Sequence, residues 1–306
     1  MSLVSIAVPC YNEEESISLF YDELIKILDK IDEDFQIIFI NDGSTDNTLG
    51  EIKKLKDVEY VSFSRNFGKE AALYAGLEYS KGDYVIVMDA DLQDPPELII
   101  DMINLIKTDD YDVIATRRVS RKGEPLIRSF FARLFYRLMN RFSNVELVDG
   151  ARDYRLMTRQ VVDAVLQLEE YNRFSKGLFQ WLGFRTKWLE YENVERIAGE
   201  DSWSFFKLFR YSVDALVSFS TVPLSISTFL GIIFSIVAFL LIVIVVLRNI
   251  LYSNPVQGWA STICIILLLG GIQLFSIGIL GKYLEKAYSE IKKRPIYIVQ
   301  ETNMDE

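Results

Sequence analysis

Between Asp214 and Lys282 the chain carries one charged residue, Arg248, which leaves two uncharged runs of 33 residues, 215–247 and 249–281. Within them, VPLSISTFLGIIFSIVAFLLIVIVVL (222–247) and WASTICIILLLGGIQLFSIGIL (259–280) both exceed the roughly 20 residues that cross a bilayer as a helix. Buried core helices are the alternative, but soluble cores seldom use two such runs in succession. The link RNILYSNPVQG is short and polar, so the expectation is a two-helix transmembrane hairpin with both chain ends on one side. Lys207 and Arg210 precede the first run, and Lys282, Lys286, Lys292, Lys293 and Arg294 follow the second. That basic excess places the N-terminal region and the tail in the cytoplasm, with Arg248 a minor counter-signal.

Before the hairpin, apolar strand-like runs alternate with helix-like periods. LVSIAVPCY (3–11), FQIIFIND (35–42), VEYVSFS (58–64), DYVIVMD (83–89) and DVIATRR (112–118) read as strands. Their order predicts an α/β domain with a mostly parallel sheet covered on both faces. Ligands in such folds bind at the carboxyl ends of the strands. Three of those ends are polar or acidic here: Tyr11-Asn12-Glu13, Asn41-Asp42-Gly43 and Asp89-Ala90-Asp91. The expected division is 1–211 for this domain, 212–283 for the hairpin and 284–306 for a cytoplasmic tail. MSLVSIAVPCYNEEES lacks the basic leader of a signal peptide and reads as a first strand.

Composition narrows the chemistry. The 306 residues include no histidine, so a metal site must use oxygen ligands, which suits Mg²⁺ or Mn²⁺. Cys10 and Cys264 lie far apart in apolar runs and read as buried, with no disulfide framework. The net charge of −10 argues against nucleic acid as a partner. Residues 1–110 carry 24 acids and 9 bases, whereas 111–142 carry 2 acids and 8 bases. In that basic island, LIRSFFARLFYRLMNRF (126–142) sets Ile127, Phe130, Phe131, Leu134, Phe135 and Leu138 on one helical face and Arg133, Arg137 and Arg141 on another. The pattern predicts an amphipathic helix lying on an anionic bilayer surface, or else one packed on the domain with solvated arginines.

The stretch DADLQDPPE (89–97) holds four acids. Asp94-Pro95-Pro96-Glu97 reads as a helix start, with Asp94 as cap and Glu97 in the first turn. Asn12 is likewise a candidate cap for the first helix. Asp89 and Asp91, at i and i+2, face the same side of an extended chain. Paired carboxylates repel unless a cation neutralises them, and Mg²⁺ commonly takes one or two carboxylates plus substrate phosphates. A solvated turn is the alternative. There is no GxGxxG and no GxxxxGK[ST].

The set VPCYNEEE (8–15), NDGSTD (41–46), RNFGKEAAL (65–73), DADLQDPPE (89–97) and DGARDYRLMTR (149–159), followed by two spans, resembles the bacterial polyisoprenyl-phosphate glycosyltransferases. These are similar to dolichol-phosphate mannose synthase and belong to inverting glycosyltransferase family 2. The resemblance covers essentially the whole chain. It implies a glycosyltransferase A-type (nucleotide-diphospho-sugar transferase) domain at the bacterial plasma membrane. The donor would be a nucleotide sugar, UDP-glucose or UDP-N-acetylglucosamine, and the acceptor undecaprenyl or another polyprenyl phosphate. By the same resemblance Pro9, Tyr11, Asn12, Glu13, Asp42 and Lys69 would bind the nucleotide sugar. Asp89 would contact the donor, and Asp91 and Gln93 would hold Mg²⁺ or Mn²⁺. Asp153 would be a base or orienting group, unless it merely pairs with Arg152 or Arg155. Arg117, Arg128 and Arg196 would hold the acceptor phosphate. A homo-oligomer, up to a tetramer, is also implied. The chain departs from the family at Gly199-Glu200-Asp201-Ser202-Trp203, where the common pattern is G-x-S-K-[WY], which weakens the role given to Arg196. A processive polysaccharide synthase usually has more spans and a Q-x-x-R-W motif, and a non-catalytic scaffold would not need the acids.

Overall fold

The computed structural model describes residues 1–119, 137, 140, 141, 147–192, 217, 220–252 and 258–304. Strands β1 (Leu3–Cys10), β2 (Asp34–Asn41), β3 (Glu59–Phe63) and β4 (Tyr84–Val87) alternate with helices α1 (Ile17–Leu28), α2 (Thr48–Ile52) and α3 (Lys69–Tyr79). Helix α4 (Leu98–Thr108), β5 (Val113–Arg118), β6 (Ala151–Thr158), α5 (Arg159–Leu166), α6 (Ser175–Trp181) and β7 (Thr186–Tyr191) follow. Then come α7 (Val222–Tyr252), α8 (Trp259–Ile291) and β8 (Val299–Thr302).

The strands form one sheet in the order β7-β5-β6-β4-β1-β2-β3-β8. Strands β1 to β4 are mutually parallel, as the strand–helix alternation requires. Two strands are not. Strand β6 runs antiparallel between β4 and β5, and β8 runs antiparallel along β3. The sheet is therefore mixed. The reversal of β6 puts its first residues beside the carboxyl ends of β4 and β5, because Val87 registers with Arg155 and Arg117 with Ala151.

Alternation along β1 divides the core. Val4, Ile6, Val8 and Cys10 join α1 and α4 on one face, and Ala7 meets α3 on the other. Helix α3 lies close against the sheet at Gly76, where a Cβ would come within 2.8 Å of the Ala7 methyl.

The hairpin region begins with α7, whose Val222–Val245 stretch has a mean hydropathy of 3.0, and of its described side chains Ser227 alone is buried. It is the one helix among the described residues long and apolar enough to cross a membrane by length and composition. Helix α8 takes up the second uncharged run and continues for 33 residues in all. Its charged end is tied to the sheet domain. Glu290 accepts hydrogen bonds from the Tyr171 and Asn172 backbone amides (3.0 and 3.1 Å) and from the Asn172 side chain (3.1 Å).

The chain after α8, read from sequence only as a tail, supplies the edge strand β8. Tyr297 stacks on Phe63 with ring centroids 4.7 Å apart. Asn303 accepts from the Tyr60 amide (2.7 Å) and donates to the Val58 carbonyl (3.0 Å), and Met304 is buried in the second core layer. The expected amphipathic helix at 126–142 falls outside the described residues except at 137, 140 and 141.

Candidate active site at the strand ends

Three backbone turns in the left-handed region form the rim. They lie at Asn12 (φ 54°), Gly43 (φ 60°) and Leu92 (φ 55°), each just past the end of a parallel strand. Gly43 is obligatory, since a Cβ there would sit 2.2 Å from the Arg65 carbonyl carbon. Leu92 adopts a conformation that costs a branched side chain about 1 kcal/mol or more. Its turn reverses the chain within DADLQD, and the Gln93 amide donates to Asp91 Oδ1 (3.1 Å).

The first two loops are stitched together. The Asn12 amide donates to Ser44 Oγ (3.0 Å), and Asn12 Oδ1 accepts from the Thr45 amide (2.8 Å). The Glu13 amide donates to Thr48 Oγ1 (2.8 Å). Asn12 is thus a loop clasp; helix α1 starts at Ile17 with Ser16 preceding it, so the expected cap is overturned. Pro9 is buried within β1, and Tyr11 is exposed on the rim. Asp42 is buried, and its carboxylate accepts from the Phe67 amide (2.7 Å) and the Gly68 amide (2.9 Å). Burial pushes its pKa above the ordinary aspartate value against those two bonds. Asp42 therefore fixes the loop that delivers Lys69.

Lys69, the first residue of α3, bridges two acids. Its ammonium lies 2.8 Å from Asp89 and 2.7 Å from Asp153. Desolvation lowers the Lys69 pKa, but the charges and hydrogen bonds of Asp153 and Asp89 outweigh it, and the net shift is upward. For Asp153, burial pushes upward, and Lys69, Lys176 and Arg155 pull the carboxyl well below the ordinary range. Asp153 does not pair with Arg152 or Arg155 through its side chain; Arg155 donates instead to the Asp153 and Arg152 carbonyls. Asp91 is shifted upward, by burial first and then by the charge of Asp89.

A second polar centre lies beside this one. Asp94, 1% exposed, accepts from Arg152 Nε (3.0 Å) and from the Tyr191 hydroxyl, with an Arg118 nitrogen 3.7 Å away. Arg152 also lies 3.9 Å from Asp89. The expected cap role of Asp94 is thereby overturned. Glu97 immediately precedes α4 and makes no side-chain capping bond. Asp94 is instead drawn to two guanidinium groups that need a buried counter-charge.

Gln93 Oε1 accepts from Arg118 (3.0 Å), so the amide proposed for the metal shell is bonded to a cation. Arg117 pairs with Glu190 on the neighbouring strand. Its neighbour Arg118 is the one that turns toward the acids. Strand alternation could have shown that the two arginines diverge, but not which faces the site. Arg128 and Arg196 fall outside the described residues. Sequence reasoning missed Arg118, Arg152, Tyr191, Lys176 and Glu70. Glu70 accepts from the Ser175 amide (2.8 Å), and Lys176 donates to the Ala151 carbonyl (2.9 Å), which fixes the start of α6 beside Asp153.

Could this rim hold a divalent ion? Asp89 and Asp91 offer hard oxygen donors at one strand end, and the repulsion from Asp89, which adds to burial in raising Asp91, is what a cation would relieve. Among the described residues no group of three or more potential ligands gathers, so a ligand's phosphates and water would have to complete the shell. The residues fit Mg²⁺ or Mn²⁺ held jointly with a phosphorylated ligand.

Comparison with known proteins gives concordant results. The family described as Glycosyl transferase family 2 matches residues 5–166. CsbB of Bacillus subtilis (strain 168) is 44% identical over 306 residues, covering 99% of this chain and 92% of that protein. The "Prophage bactoprenol glucosyl transferase homolog" of Escherichia coli (strain K12) is 40% identical, covering 97% and 98%. The "Bactoprenol glucosyl transferase" of Shigella phage SfII is 38% identical, covering 98% of both. Among solved structures, mannosyl-3-phosphoglycerate synthase from Rubrobacter xylanophilus aligns with a TM-score of 0.51 at 19% identity, covering 70% of this chain and 72% of that one. This last likeness speaks to the fold alone.

Proposed function

Because the chain belongs to glycosyl transferase family 2 and is a glycosyltransferase, we propose that it moves a sugar from a nucleotide sugar to a polyprenyl phosphate at the membrane surface. The observation that carries this reading is full-length similarity to proteins named as bactoprenol glucosyl transferases, hairpin region included. UDP-glucose is the first donor to test, with UDP-N-acetylglucosamine second. The two-span hairpin would hold the enzyme as a multi-pass protein of the bacterial plasma membrane with residues 1–211 cytoplasmic. The homo-oligomer implied by the resemblance belongs to the same proposal.

In this reading Pro9, Tyr11, Asn12, Glu13 and Asp42 shape the nucleoside pocket, and Lys69 and Asp89 face the diphosphate. Asp91 and Asp89, with Gln93 beside them, would hold Mg²⁺ or Mn²⁺. Bound there, the ion supplies Lewis-acid stabilisation of the leaving diphosphate. A lipid phosphate oxygen attacks the anomeric carbon from the face opposite the nucleoside diphosphate, so configuration inverts. That nucleophile is already anionic at neutral pH, and no strong base is required. Asp153, kept ionised by Lys69 and Lys176, orients cations around the acceptor rather than taking a proton. Arg117, Arg128 and Arg196 are proposed to hold the acceptor phosphate, where a guanidinium fork suits its oxygens.

The test is nucleotide release from UDP-glucose or UDP-N-acetylglucosamine by the purified full chain, with and without undecaprenyl phosphate. Release should require the lipid and fall about 100-fold or more in Asp91→Ala. Lipid-independent release, or release that ignores the substitution, would overturn the reading.

A further inference from the structure

Asp89 is not an open carboxylate. It is 18% exposed, and one of its oxygens meets the Lys69 ammonium at 2.8 Å with Arg152 at 3.9 Å. The same ammonium holds Asp153, 16% exposed, at 2.7 Å. A divalent ion approaching Asp89 alone meets a cation in direct contact with its intended ligand. The Lys69 side chain is itself 47% exposed, so it can swing outward without crossing protein. It stands at the start of α3, on a loop fixed by Asp42, and therefore moves as a side chain while its backbone stays in place. A lysine ammonium is a compact charge on a flexible stem with rotatable donors, able to pass from a carboxylate to a phosphate. An arginine fork would be held harder.

We propose that Lys69 is an internal counter-cation that closes the acidic site to a free divalent ion and opens when a nucleoside diphosphate draws its ammonium away. The proposal rests on the reading that Asp89 and Asp91 hold the ion. Ion and nucleotide then bind cooperatively, each raising the affinity for the other by the same factor. The same movement releases Asp153 from Lys69 as the donor arrives, so the acceptor side becomes available only after the donor side is filled.

The experiment measures Mn²⁺ binding by electron paramagnetic resonance on the full chain in detergent, with and without UDP. Wild type should bind Mn²⁺ weakly alone and more tightly with UDP. Lys69→Met should bind Mn²⁺ alone about fivefold or more tightly than wild type, within the usual range of coupling, and gain less from UDP. Lys69→Arg, which keeps the charge, should stay as weak as wild type. Should Lys69→Met fail to fold, Lys69→Gln drops the charge and keeps a hydrogen-bond donor. Unchanged or weaker Mn²⁺ binding by the uncharged variants overturns the proposal. Asp91→Asn separates the two ideas. If it binds Mn²⁺ as wild type does, the metal reading itself falls; if it loses Mn²⁺ while Lys69→Met gains nothing, only the lock falls.

Discussion

Asp91 and Asp94 stand three residues apart and have different surroundings. Asp91 belongs to the rim beside Asp89, whereas Asp94 is a buried counter-charge for Arg152 and Arg118. The text DPPE fits a helix start so well that the cap reading follows from local rules, yet the partners of Asp94 come from β5, β6 and β7. No local rule reaches that far. Asp94→Asn should therefore cost about 3 kcal/mol of stability, since it strips the charge from a buried ion pair. Glu97→Ala, with no capping bond to lose, should stay within about 0.5 kcal/mol. Thermal denaturation of the two variants checks the contrast. Lys176 gives a pH signature. Burial lowers its pKa below that of an ordinary lysine, with Arg152, Lys69 and Arg155 pushing the same way against Asp153. Its charge is then lost as pH rises, before 10.5, and turnover should fall with it. A lysine whose folded pKa lies below its unfolded pKa gives up its proton first in the fold, so stability rises with pH through that window. Lys176 itself thus adds no loss of stability there, any alkaline fall in melting temperature coming from groups such as Lys69 and Tyr154 whose pKa the fold raises, and Lys176→Arg should move the loss of turnover to higher pH.

At the scale of elements, the alternating strands and helices of residues 3–118 were legible because Val/Ile runs and 3.6-residue periods are local. The parallel pairing of β1 to β4 followed from the connections alone. Strand direction beyond that point was not legible. ARDYRLMTR has the composition of a strand in either sense, and only its insertion between β4 and β5 makes it antiparallel. That sense is what places Arg152 and Asp153 at the same rim as Asp89. Strand β8 was hidden for a different reason: IYIVQET is short, and its partner β3 lies more than 230 residues earlier in the chain. It covers an edge that would otherwise expose unpaired amides. Tyr297→Ala removes the ring stacked on Phe63 and should cost about 1–2 kcal/mol, read by thermal denaturation.

For the whole molecule, the division at residue 211 separates what the sheet joins. The polypeptide leaves the domain, runs through α7 and α8, and returns to close the β3 edge. Glu290 marks the return, accepting three N–H groups from the loop that leads into α6 and Lys176. A fragment ending at 211 would lack β8, the Tyr297–Phe63 stack, the Asn303 bonds to β3 and the Glu290 clamp together. Each contributes on the order of 1 kcal/mol; the Glu290 clamp is remote from the other three and adds to them, whereas those three share Tyr60 and Phe63 and act together. The fragment should therefore be less stable than the full chain's sheet domain by about 3–5 kcal/mol. Joining residues 284–306 to the fragment through a flexible Gly/Ser linker should recover most of that loss, because the linker entropy of reconnecting two ends grows only slowly with length. Denaturant titration of the fragment, the linked fragment and a linked fragment carrying Tyr297→Ala would measure it. Equal midpoints for the first two would show that the returning strand adds nothing. A linked fragment that recovers, with Tyr297→Ala losing part of the gain, would identify residues 1–211 plus 284–306 as the folding unit, with the hairpin as an insertion in it.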